Sequence, residues 1–86
     1  MNKKYLDKIV QYLVEDTDIY YEHRTIYFDS WWGTDTLSDW KYQDYDYIWD
    51  YCNDTYGLTE DEVKYVWDEY KNLMLIKCAN IIVNNK

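Results

Sequence analysis

The side chains that could do chemistry here are either scarce or repetitive. One histidine, His23, and two cysteines, Cys52 and Cys78, stand against 17 aspartates and glutamates. A structural zinc site needs four converging nitrogen and sulfur ligands, usually as close-spaced pairs. The cysteines lie 26 positions apart and no Cys-x-x-Cys occurs. A calcium loop needs oxygen ligands at alternate positions and a glycine at its sharp turn. The acidic stretch DYDYIWDY from Asp44 to Tyr51 puts aromatic residues between its acids and Trp49 where that glycine belongs. His23 with Cys52 or Cys78 would make a nucleophile pair, but no flanking motif supports one. Two glycines, Gly33 and Gly57, cannot build a phosphate-cradling loop. Carboxylate pairs are plentiful, yet none is singled out, and a chain this size has little room for a substrate cleft. The pattern points away from an enzyme and implies no metal or cofactor.

What the carboxylates offer is a binding surface. Residues 1–34 carry six acids and four bases, residues 35–69 eleven acids with only Lys41 and Lys64, and residues 70–86 three lysines and no acid. The nets are −2, −9 and +3, which sum to the formal charge of −8. Within the acidic block Asp46, Asp50 and Asp54 recur every fourth residue, so on a helix they line one face at a rise of about 6 Å per step. Such like-charge pairs cost an isolated helix about 0.2–0.5 kcal/mol each. A basic partner would compensate that cost; a face that merely keeps a Trp- and Tyr-rich chain soluble is the alternative. The 18 aromatics, 21% of the chain, are densest in this block, and Tyr and Trp are enriched in interfaces. Candidate partner-binding residues are Asp35, Asp39, Asp44, Asp46, Asp50, Asp54, Glu60, Asp61, Asp68 and Glu69, with Trp31 and Trp32 as an exposed aromatic pair.

The elements that must position these side chains follow from spacing. Leu6, Ile9, Val10 and Leu13 fall at helical intervals and predict an amphipathic helix from Asn2 to about Asp16. Residues 19–28, IYYEHRTIYF, read as two short strands about Glu22, His23 and Arg24. His-Arg is not a preferred two-residue turn, so a longer loop is equally open. Residues 30–38 read as a loop or wide turn around Gly33. Residues 38–43 fit either strand or helix, and a helix continues from Asp44 to about Tyr56, with Gly57 as its stop. Thr59 and Glu62 form a capping-box pattern that opens a long helix. The echo of Tyr47-Ile48-Trp49-Asp50 in Tyr65-Val66-Trp67-Asp68, 18 residues on, reads as two helices solving one packing problem. The expected fold class is α+β in a single compact domain, 1–86: an N-terminal helix, a small antiparallel sheet of two or three strands and two C-terminal helices. A mostly α fold is the alternative.

A surface at −8 repels phosphate backbones and anionic membranes and attracts basic surfaces, which argues against direct nucleic-acid binding. No apolar run approaches the length of a membrane span, and the N-terminal stretch is too charged for a signal peptide. These features predict a cytoplasmic protein with Cys52 and Cys78 reduced and core-facing. In size, acidity, aromatic richness and lack of catalytic motifs, the chain resembles phage-encoded anti-defence inhibitors, including anti-CRISPR proteins and DNA mimics. That resemblance implies an inhibitor of host defence, acting in the bacterial cytoplasm on the basic nucleic-acid-binding surface of a Cas effector or restriction nuclease. A bacteriocin-type immunity protein or antitoxin shares the physical logic. A small adaptor or assembly module working through its Trp and Tyr surface, as a homodimer if those rings form a seam, is a reading of another class.

Overall fold

In the computed structural model, which describes residues 2–84, the chain runs α1 (Lys3–Glu15), β1 (Asp18–Glu22), β2 (Thr25–Ser30), β3 (Gly33–Thr36), α2 (Leu37–Tyr56) and α3 (Glu60–Asn84). The architecture is the α+β one, with three strands, and the mostly α alternative is not adopted. Asn2 caps α1 by accepting from the Tyr5 amide, and the helix buries Leu6, Ile9, Val10, Leu13 and Val14. It stops where Thr17 turns inward. The Thr17 hydroxyl donates to the Leu13 carbonyl at 2.8 Å and pairs with the Tyr70 hydroxyl at 2.9 Å, pinning the end of α1 to α3.

The strands form an antiparallel meander in the order β1-β2-β3. Glu22 pairs with Thr25, so His23 and Arg24 make a two-residue turn, and both have positive φ, 51° and 63°. That is the primed-turn geometry whose twist matches a hairpin, reached without glycine or asparagine. Residues 30–38 are not a loop. Trp31 and Trp32 alone connect β2 to β3, Gly33 takes a φ of 143°, and the helix starts at Leu37. Ile26 and Phe28 face the core from β2, and the register places Ile19 and Asp35 beside Phe28 on that same face. The outer face carries the Tyr20–Tyr27 pair and Asp29, which accepts from Tyr20 and Thr34.

Helix α2 settles the ambiguity of residues 38–43 in favour of helix. Thr36 caps it by accepting from the Asp39 amide, and Trp40, Asp44, Ile48 and Cys52 are all buried one turn apart. Four inward positions at helical spacing outweigh the short Trp40–Tyr42 alternation. Gly57, at φ 64°, ends the helix in a left-handed cap: its amide bonds Asn53 O at 3.0 Å, and the Leu58 amide bonds Cys52 O at 3.4 Å. The capping box then opens α3, with Thr59 N donating to Glu62 Oε1 at 3.0 Å and Glu62 N donating to Thr59 Oγ1 at 3.3 Å.

The core is aromatic at its centre. Phe28 stacks on Trp40 at 4.3 Å between ring centroids, and Trp40 meets both Trp67 and Tyr70. Val63, Val66 and Met74 of α3 are fully buried around them, whereas Lys77 and Ile82, three residues on from Met74 and four on from Cys78, are exposed. Cys52 and Cys78 are free and buried, and burial pushes the Cys52 thiol up to about 11. At 25 residues α3 is about 37 Å long, and it sets the long axis of a body measuring 41 × 22 × 17 Å.

Candidate acidic interaction surface

Asp39, Asp46, Asp50 and Asp54 project from one side of α2. At 100° per residue they fall in a sector roughly 80° wide, and Asp39 to Asp54 spans about 22 Å along the axis. All four are exposed. The sector lies opposite the face formed by Trp40, Ile48 and Cys52, so core packing orients the stripe toward solvent. Lys41, the one base in α2, sits across the helix from Asp50 and lies beside Lys71, Asn72 and Leu75. Among the described residues, no lysine or arginine pairs with any of these four aspartates. No basic residue stands in the last turn of α2, so Asp54 faces the negative end of the helix macrodipole.

The acids of α3 are arranged differently. Glu60 and Asp61 occupy its first turn, where the dipole favours them. Glu60 pairs with Lys64 at 3.5 Å and Asp68 with Lys71 at 3.7 Å, while Glu69 is half-buried. Half of the α3 candidates are therefore partly neutralised by their own helix, and the unpaired acid surface belongs to α2.

Two predicted contact residues point inward. Asp44 is 1% exposed, in the same stripe as Trp40, Ile48 and Cys52, and cannot meet a partner. Its Oδ2 accepts from the Trp32 indole N–H at 2.7 Å, and its Oδ1 has no partner among the described residues. Asp35, half-buried on the inner face of the edge strand β3, approaches the same carboxyl. Burial, then the neighbouring Asp35 carboxyl, raise Asp44 to about 7, against the opposing pull of Trp32. A raised Asp44 holds its proton near neutral pH, and a protonated carboxyl can donate where a carboxylate only accepts. The signal was present in the sequence: spacing of four from Trp40 through Asp44 to Ile48 and Cys52 marks an inward position.

The tryptophan pair also divides. Trp32 is half-buried, held by Asp44 and an edge-on contact with Tyr70, so it packs the sheet onto the helices. Trp31 is 55% exposed and touches Tyr51 of α2 at 5.1 Å. From there Tyr51 contacts Tyr56 at 5.5 Å, with hydroxyls 3.0 Å apart, and Tyr56 contacts Tyr5 of α1 at 6.0 Å. This edge-on seam of rings joins the β2–β3 turn, the end of α2 and the start of α1. Sequence spacing within single elements could not reveal it, because every contact but one crosses elements.

The chain matches no protein-family model, no curated protein and no solved structure. Its surface chemistry is therefore the ground for a functional reading. Among the described residues no group of three or more His, Cys, Asp or Glu side chains could hold a metal ion. Among the same residues, no helix is long and apolar enough to cross a membrane.

Proposed function

We propose that this protein is an inhibitory binder that presents the Asp39, Asp46, Asp50 and Asp54 stripe of α2 to a basic, nucleic-acid-binding surface and blocks it. One observation carries this: four exposed aspartates share a helix face about 22 Å long with no cation among the described residues paired to them. Asp46, Asp50 and Asp54 oppose helix stability through mutual repulsion, and Asp54 also through the dipole, so folding alone does not account for them. Its partner supplies lysine and arginine side chains arranged to track phosphates, as in the groove of a nuclease or CRISPR-Cas effector. Such a surface gains speed and specificity from charge, and the acid stripe competes with nucleic acid for it. As a host-defence inhibitor of phage type, the protein would act in the bacterial cytoplasm.

The test is cleavage or binding of DNA by such effectors in the presence of the protein. Inhibition that excess DNA relieves, and that Asp46→Lys, Asp50→Lys and Asp54→Lys together abolish, is the expected result. Inhibition that survives the triple reversal would remove the acidic stripe from the mechanism. The adaptor alternative rests on the Trp31–Tyr51 seam; it calls for self-association insensitive to salt, read by sedimentation.

A further inference from the structure

We propose that the rings beside the acid stripe make this surface selective for arginine: Trp31 and Tyr47 receive guanidinium groups of the partner while Asp50 and Asp54 bind their N–H edges. This inference rests on the acidic-face reading and specifies what the partner presents.

Tyr47 is 50% exposed and Trp31 55%, which leaves two large rings without full cover in a chain that buries Trp40 completely. Trp32 has a structural account in its bond to Asp44, whereas among the described residues Trp31 makes edge contacts with Trp32 and Tyr51. On α2, Tyr47 neighbours Asp50 at i+3 and Tyr51 at i+4, and Tyr51 neighbours Asp54 at i+3; such residues have Cβ atoms about 5–6 Å apart. Trp31 leans on Tyr51. Exposed Tyr47, half-buried Tyr51 with Trp31 against it, and exposed Asp50 and Asp54 thus share one edge of the helix.

The chain itself shows what this combination binds. In α3, Lys71 Nζ lies 5.4 Å from the Trp67 ring centroid and 3.7 Å from Asp68 Oδ1, one cation held by a ring and an acid. The segment Tyr65-Val66-Trp67-Asp68 is echoed in α2 by Tyr47-Ile48-Trp49-Asp50, and where the first is followed by Lys71 the second is followed by Asn53. In α2 the counterpart of Trp67 is the half-buried Trp49, and Asn53 stands in the place of the cation, so the exposed ring beside Asp50 is Tyr47. A second copy of the chain is a poor occupant, because a two-fold contact through this patch sets Asp50 and Asp54 against their own equivalents. Between the two protein cations, arginine fits better: its planar guanidinium stacks on a ring while donating in plane to a carboxylate, whereas an ammonium is a compact, strongly hydrated charge.

Calorimetric titration with an arginine homopeptide and a lysine homopeptide of equal length tests this. The arginine peptide should bind about 2- to 5-fold more tightly, the range expected of an exposed cation–π contact. Trp31→Leu with Tyr47→Leu should erase that preference by weakening the arginine peptide more than the lysine peptide; both sites are exposed, and each single variant checks the other should one fold poorly. Asp50→Asn with Asp54→Asn should weaken both peptides. Equal, salt-sensitive binding of the two peptides overturns the arginine selectivity while leaving the acidic face standing. Binding of neither peptide overturns both. A preference that persists without the two rings, or a dimer in sedimentation that Trp31→Leu dissolves, also overturns it.

Discussion

At Asp44 a single buried oxygen links sequence, packing and pH. The carboxyl sits near 7 in the folded protein, raised first by burial and then by Asp35, against about 3.9 for an unperturbed aspartate. The folded protein therefore keeps a proton that the unfolded chain releases as pH rises. Stability contributed by this group falls from about pH 4 to about pH 7 and is level above that. Asp44→Asn removes the ionisation: its amide can accept from Trp32 and donate toward Asp35. The variant should be more stable than the parent at pH 8 by about 1–3 kcal/mol, the range for relieving an unsatisfied buried polar group. The gap should narrow as pH falls toward 5, as urea unfolding at several pH values will show. An Asn variant less stable than the parent at pH 8 would mean that the carboxylate is better solvated than its burial indicates.

At the scale of elements, legibility tracked how local the determining contacts are. The Thr59–Glu62 capping box and the Gly57 stop were legible because each needs only neighbours in sequence. The Trp31–Trp32 turn and β3 were not, because two tryptophans are atypical turn residues and Gly33-Thr34-Asp35-Thr36 has little strand propensity. What makes β3 a strand is pairing with β2 and the inward contacts of Trp32, both tertiary. Gly57→Ala should cost about 1–2 kcal/mol, since the left-handed conformation rather than space excludes a side chain: a methyl group at this position would meet nothing within 4 Å. Thermal unfolding will measure it. In α2, Asp46→Asn, Asp50→Asn and Asp54→Asn together relieve two like-charge pairs and should stabilise the protein by roughly 0.4–1 kcal/mol. The same variant should lose binding to a basic target. A gain in melting temperature accompanied by a loss of inhibition separates a functional stripe from a solvating one, for which binding would be unaffected.

For the whole molecule, the relevant length is the reach of its charge. The −9 of residues 35–69 is partly offset by the +3 of residues 70–86, so at long range the chain acts through its net charge and at short range through the α2 stripe. The crossover is set by screening: about 30 Å at 0.01 M salt, longer than the stripe, and about 8 Å at physiological ionic strength, much shorter than its span of about 22 Å. At low salt every aspartate of the stripe steers the encounter together, whether or not it touches the partner. At physiological salt each acts only on what lies beside it. Asp39→Asn and Asp54→Asn should therefore slow association with a basic nucleic-acid-binding protein by similar factors at 0.01 M salt, measured by stopped flow. At 0.15 M the effects should diverge, with the larger loss, chiefly in the dissociation rate, at the residue in direct contact. If arginines dock between the rings and Asp54, that residue is Asp54. Equal effects at both salt concentrations would mean that the stripe acts as one diffuse field and that no single aspartate is matched to a partner side chain.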